Sequence, residues 1–108
     1  MPETITPSQL RPRITLKQCQ YVLAAAETGS ITGAAEKVQI SQPSVSAAIS
    51  ALEAEFGVPL FRRNPPHGIT LTPNGARLMP ELRTILGQIG GLYALARSGM
   101  KQGALHVE

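Results

Sequence analysis

Between Ser30 and Arg63 the chain reads SITGAAEKVQISQPSVSAAISALEAEFGVPLFRR. Two helical patterns lie a tight turn apart and run directly into an extended apolar stretch, which leaves few ways to fold. Ser30 or Thr32 can cap the first of these helices, and Ala34, Ala35 and Val38 form its inner face. The two alanines matter because helices joined by so short a turn must cross closely, and larger side chains would hold them apart. Gln39-Ile40 makes the connection. Ser41 then stands as an N-cap, with Gln42-Pro43 in the first turn, where the N–H that proline lacks is not needed. Val45, Ile49, Leu52 and Phe56 follow at 4-3-4 spacing and are assigned to the core, and Gly57 stops the helix.

A helix precedes this pair. Thr15 and Gln18 have the spacing of a capping box. Leu16, Cys19, Val22, Leu23 and Ala26 fall on one helical face, and Gly29 supplies the left-handed stop. Cys19 on that face reads as a small core residue. After the third helix, Val58 to Arg63 and Ile69 to Leu71 are short apolar runs around Asn64-Pro65-Pro66-His67-Gly68, the pattern of a β-hairpin. Arg62 and Arg63 alternate across the strand, so only one of them shares a face with a given target. His67 at the tip is placed to enter a minor groove. His106 is the only other histidine, so no metal site is expected.

The solvent side of the third helix carries Pro43, Ser46, Ala47 and Ser50 at i, i+3, i+4 and i+7, with Gln42 at its tip. Small side chains allow a helix backbone to sit deep in a major groove. Glutamine can bond bidentately to adenine, serine can donate or accept at several base edges, and the Pro43 ring and Ala47 methyl can touch thymine methyls. The same face read alone is equally an ordinary solvated one. It bears no ionised side chain from Ser41 to Leu52.

Length and composition bound the alternatives. The 108 residues suit one domain, and a formal charge of +3 suits an anionic partner without requiring one. A single cysteine excludes an intrachain disulfide framework and a cysteine-rich zinc site. No apolar run approaches the roughly 20 residues of a membrane span, and residues 1–13 lack the apolar core of a secretory signal, so a cytoplasmic protein is expected. Glu53 and Glu55 point in different directions on their helix, neither histidine is placed to activate a serine, and no phosphate-binding glycine loop follows a strand. The expectation is a non-enzyme without cofactor.

From Thr72 to about Ser98 runs one long helical pattern, with Thr72 as cap, Pro73 in the first turn and Gly99 as a stop. Leu78, Leu82, Ile85, Ile89, Leu92 and Ala96 alternate by four and three, a coiled-coil seam. A rod of roughly 40 Å is too long to bury its seam on so small a head, which argues for a partner helix; packing along its own head is the competing arrangement. Pro80 removes one backbone bond and should kink the rod. Gly87, Gly90 and Gly91 permit either close helix approach or a flexible joint. The divisions are thus a loose tail (1–13), a head (14–71), a long helix (72–99) and an end piece (100–108).

In register, Ala34-Ala35, Ser41-Gln42-Pro43, Ser46, Ile49, Leu52-Glu53, Gly57, Leu60-Phe61, Arg63, Leu71-Thr72 and Gly75 resemble the DNA-binding head of LysR-type transcriptional regulators. The resemblance covers roughly Ile14 to Ser98. It implies a mainly α fold: a winged helix-turn-helix of three helices and a two-stranded β wing, followed by a linker helix that pairs with its twin. It implies double-stranded DNA as partner, read at inverted repeats by a homodimer, with a tetramer when an effector domain is present. By matched position, Gln42 and Pro43 fall where the family touches bases, Ser46 where a serine contacts DNA, Ser30 and Thr32 at a helix start facing a phosphate, and Arg63 on the wing. Many members carry a basic residue where this chain has Ala47, a polar or basic one at Ser50, and arginine where His67 stands. Gly103 to Val107 resembles the entry into the family's ligand-binding domain, so the chain is expected to be either a piece of a longer protein or a naturally short one, without an inducer pocket. A winged helix used only for protein contacts, and the related head of molybdate-responsive regulators, are the competing readings; the LFRR and LTPNG segments speak against the second.

Overall fold

The computed structural model describes residues 4–66 and 68–102. Helices α1 (Leu16–Thr28), α2 (Ile31–Val38) and α3 (Gln42–Phe56) lead into strands β1 (Phe61–Arg63) and β2 (Ile69–Leu71), and α4 (Pro73–Gln102) follows. The order and type of every expected element agree with the sequence reading. The local chemistry explains why. Thr15 Oγ1 accepts the Gln18 N–H at 3.0 Å while Gln18 Oε1 accepts the Thr15 N–H at 2.9 Å, closing the capping box of α1. Ser30, rather than Thr32, caps α2 by accepting the Gly33 N–H at 2.9 Å, and Ser41 caps α3 by accepting that of Ser44 at 3.2 Å. Gly29 and Gly57 end their helices in the left-handed region, with φ of 68° and 73°. At the end of α2 that role falls to Gln39, φ 59°, which lets the chain swing at once into α3.

The core lies where α1, α2 and α3 cross. Val22, Val45, Leu52 and Leu60 are fully buried, and Ala24, Ala25, Ala34, Ala35 and Ala48 form the close crossings between them. Cys19 is buried here as expected, and burial pushes its thiol pKa up. Two expected core positions are not in it. Phe56, the last residue of α3, is 40% exposed because Gly57 turns the chain away behind it; Ala48 fills the stripe instead. Leu16, in the first turn of α1, is 49% exposed.

The wing is a two-stranded antiparallel sheet pairing Phe61 with Leu71, Arg62 with Thr70 and Arg63 with Ile69. It is tied to the helices at both ends. At its base Glu53 Oε2 accepts the N–H of Leu60 at 2.7 Å and of Phe61 at 3.3 Å. At its tip Ile69 N–H bonds Gly29 O at 3.0 Å, and a Cβ on Gly68 would stand 2.4 Å from that same oxygen.

Buried Thr72 starts α4, donating to Pro59 O at 2.6 Å and accepting the Gly75 N–H at 3.0 Å. A Cβ on Gly75 would meet Leu60 O at 2.2 Å, so only glycine lets α4 leave the wing this closely. The helix continues through Pro80 and, contrary to the expected stop at Gly99, runs on to Gln102, because no left-handed cap forms at that glycine. The expected seam also divides. Leu82 is buried with Met79 in the head's own core and Leu78 is half-buried against it, so Leu82 is not available to a partner helix. Ile85 and Leu92 remain 45% and 61% exposed. The physical reason is that α4 leaves the wing packed against α1, with Arg83 meeting Glu27 at the end of that helix. No described helix is long and apolar enough to cross a membrane.

Candidate nucleic-acid interface

The first turn of α2 and the wing face each other across an open cleft of about 330 Å³. Ser30, Thr32, Arg63, Pro66 and Gly68 line it. The register of the hairpin decides which arginine takes part. Arg63 sits on the strand face of Phe61, opposite Ile69, which turns toward α2; Arg62 sits on the other face, opposite Thr70. Both arginines are exposed, and neither pairs with a carboxylate among the described residues. Ser30 Oγ accepts the Gly33 N–H, which leaves its own proton free to donate outward. The cleft thus combines a guanidinium, two hydroxyls and the positive end of a helix. That is the chemistry of an anion seat.

On α3, Gln42, Pro43, Ala47 and Ser50 are exposed, with Ser46 half-buried at the edge of the row. Pro43, Ala47 and Ser50 share the face opposite Val45, Ile49 and Leu52, Ser46 lies at its edge, and Gln42 stands in the first turn in line with Ile49, exposed because it is at the helix tip. Ser41 spends its hydroxyl oxygen on the cap, 2.8 Å from Ser44 Oγ. Ser44 is a polar member of the same end of the helix that the i, i+3, i+4 pattern did not pick out; the signal was its position three residues after the cap. His67 lies outside the described residues.

Charge is organised behind this surface. Glu27 at the end of α1 meets Lys37 of α2 at 2.8 Å and Arg83 of α4 at 3.6 Å. The Lys37 hydrogen bond, aided by the charges of both cations, holds the Glu27 carboxyl below the usual carboxylate range despite some burial. In the tail, a short 3₁₀ turn (Pro7–Gln9) is followed by Arg13, whose exposed guanidinium meets Glu55 at 3.2 Å. Among the described residues no His, Cys, Asp and Glu cluster could hold a metal, and no buried polar side-chain atom lacks a partner.

Three helices in this order followed by a clasped two-stranded wing define a winged helix-turn-helix protein. Residues 16–76 match the profile of the bacterial regulatory helix-turn-helix proteins of the LysR family, and the chain belongs to that family. It is 36% identical over 96 residues to the uncharacterised HTH-type transcriptional regulator YvbU of Bacillus subtilis (strain 168), covering 87% of this chain and 33% of that protein. The chain therefore spans about a third of the length of that relative. Its fold superimposes on the crystal structure of the CbnR DNA-binding domain in complex with DNA with a TM-score of 0.74 at 33% identity, over 81% of this chain and 99% of that one. The BenM DNA-binding domain in complex with catB site 1 DNA gives a TM-score of 0.75 at 26% identity, over 87% and 100%.

Proposed function

We propose that this chain is the DNA-binding portion of a cytoplasmic LysR-type transcriptional regulator and that it binds inverted-repeat operators as a homodimer. α3 enters the major groove, where Gln42 and Ser46 read base edges. Ser30, Thr32 and Arg63 hold a backbone phosphate in the cleft, and Arg62 reaches a second phosphate from the outer face of the wing. The observation that carries this reading is the placement of Arg63 across the cleft from the α2 N-terminus. A phosphate seat beside a groove-sized helix positions the reader without sequence information of its own. Support also comes from the relatives, which are named as transcriptional regulators, and from the two DNA complexes of similar fold.

The dimer rests on the outer half of α4. Ile85, Ile89, Leu92 and Ala96 continue the seam beyond the head, and Ile89, Leu92 and Ala96 join Leu16 and Tyr93 around a shallow apolar groove. Exposing so many large apolar side chains together marks a contact surface, and a second copy of the same rod satisfies it. With an effector domain, two such dimers would assemble into a tetramer.

Gel-shift titration of genomic fragments at two salt concentrations tests the proposal. Affinity must fall as salt rises, because each phosphate held releases a counterion. The uncharged face of α3 also suits a winged helix that contacts only protein; absent or salt-insensitive binding on long fragments would favour that reading.

A further inference from the structure

Resting on the DNA-binding reading above, we infer that Ala47 reads the 5-methyl group of a thymine in the major groove, so that one base of each half-site is recognised by an apolar contact. Ala47 is exposed at the centre of the α3 face. Its neighbours on that face, Pro43 one turn before and Ser50, Ala51 and Ala54 after, are all short. With neighbours this short the helix backbone can approach the groove floor closely enough for the Ala47 methyl to touch a base. The nearest ionised groups on α3, Glu53 and Glu55, are committed elsewhere: Glu53 to the amides of Leu60 and Phe61, Glu55 to Arg13.

The selectivity follows from what a methyl group cannot do. A base atom pressed against Ala47 loses its water and gains no hydrogen bond. For guanine O6 and N7, adenine N6 and N7, or cytosine N4, that loss weakens binding roughly 5- to 150-fold. The thymine methyl is the one apolar group the floor of the major groove offers. Against it, the contact adds the worth of one buried methyl, about fourfold in affinity. Attraction and rejection therefore favour the same base.

The test starts from the chain itself and a random 30-base-pair duplex library. Duplexes enriched by the protein are resynthesised with 2′-deoxyuridine replacing one thymine at a time, which removes the methyl and leaves every hydrogen-bonding group in place. One thymine per half-site should lose about fourfold in affinity on this replacement. Replacing that T·A pair by C·G should cost more, and 5-methylcytosine should recover part of the loss. With Ala47→Gly, which removes the methyl itself, the uridine penalty at that thymine should vanish while penalties elsewhere persist. Uridine tolerated at every thymine, or a penalty unchanged in a folded Ala47→Gly protein, overturns the methyl contact and leaves DNA binding intact. Failure of any duplex to enrich, together with salt-insensitive binding, overturns the DNA-binding reading and this inference with it.

Discussion

The carboxylate of Glu53 accepts the backbone N–H of Leu60 at 2.7 Å, and through this bond the last turn of α3 fixes where the wing begins. The same oxygen takes the N–H of Phe61 at 3.3 Å, so a single side chain satisfies two amides that neither helix nor sheet could pair. Glu53→Ala should lower stability by about 1.5–3 kcal/mol, the range for hydrogen bonds to a charged group. Urea denaturation measures this. Because the wing positions Arg63, DNA affinity should fall as well, even under conditions where the variant stays folded. A Glu53→Ala protein with unchanged midpoint would mean that water replaces the carboxylate at no cost.

Gly75 sets the departure of α4. A Cβ at this position would stand 2.2 Å from the Leu60 carbonyl oxygen, a rigid backbone atom. Gly75→Ala must therefore push α4 off the wing, and Met79 and Leu82 with it. The expected loss exceeds the helix-propensity gain of about 1 kcal/mol that alanine brings elsewhere, so the variant should be less stable than the parent. Gly87→Ala, where nothing lies within 4 Å, should instead be more stable. Thermal melts of the pair distinguish steric need from simple helix propensity.

These contacts also mark where the sequence was readable. Capping residues act over three or four positions, so Thr15, Ser41 and Thr72 could be placed from spacing alone, while for α2 spacing left Ser30 and Thr32 as alternatives. The alternation of Arg62 and Arg63 likewise follows from the two-residue period of a strand. The division of the α4 seam was not readable. Leu78 and Leu82 belong to the same four-three alternation as Ile89 and Leu92, and only the close packing at Gly75 and the Thr72–Pro59 bond set the first pair against the head. Phe56 and Leu16 misled for a related reason: periodicity gives the face of a helix but not how far along the axis a partner extends. The Glu53 clasp spans seven residues and joins a helix to a loop, a relation with no local pattern.

Glu27 predicts a pH dependence. Its carboxyl is held below its ordinary pKa by the Lys37 hydrogen bond first and by the charges of Lys37 and Arg83. A group depressed in the folded state contributes stability above its unfolded pKa and loses it as pH falls through the folded value. Unfolding followed from neutral to acid pH should lose part of its stability below the ordinary carboxylate range. Lys37→Met should flatten that loss and cost little near pH 7, since the pair is partly exposed. An acid limb of the same depth in both proteins would assign it to other carboxylates.

Dimerisation through the outer half of α4 separates from folding because the seam is divided. Leu82→Asp would place a charge in the head's core and unfold it, so a changed mass there would carry no information about a partner. Leu92 is 61% exposed, and Leu92→Asp with Ala96→Asp should leave the melting transition nearly unchanged. Sedimentation should then give the mass of one chain where the parent gives two. An unchanged mass would remove this part of α4 from the interface.

Base reading and phosphate holding should respond differently to substitution. Gln42 stands exposed at the tip of α3, free of the capping bonds that engage Ser41. Gln42→Ala should cost about 1–3 kcal/mol on the preferred sequence and relax one base position, with little change on random DNA. Arg63→Ala removes the guanidinium from the cleft shared with Ser30 and Thr32. It should weaken binding to preferred and random duplexes alike and reduce the salt slope by about one per subunit. Titrations of both variants on both duplexes at several salt concentrations measure the two effects side by side. If Gln42→Ala lost affinity equally on both duplexes, Gln42 would be a backbone contact; if Arg63→Ala kept the parental slope, the cleft would hold no phosphate.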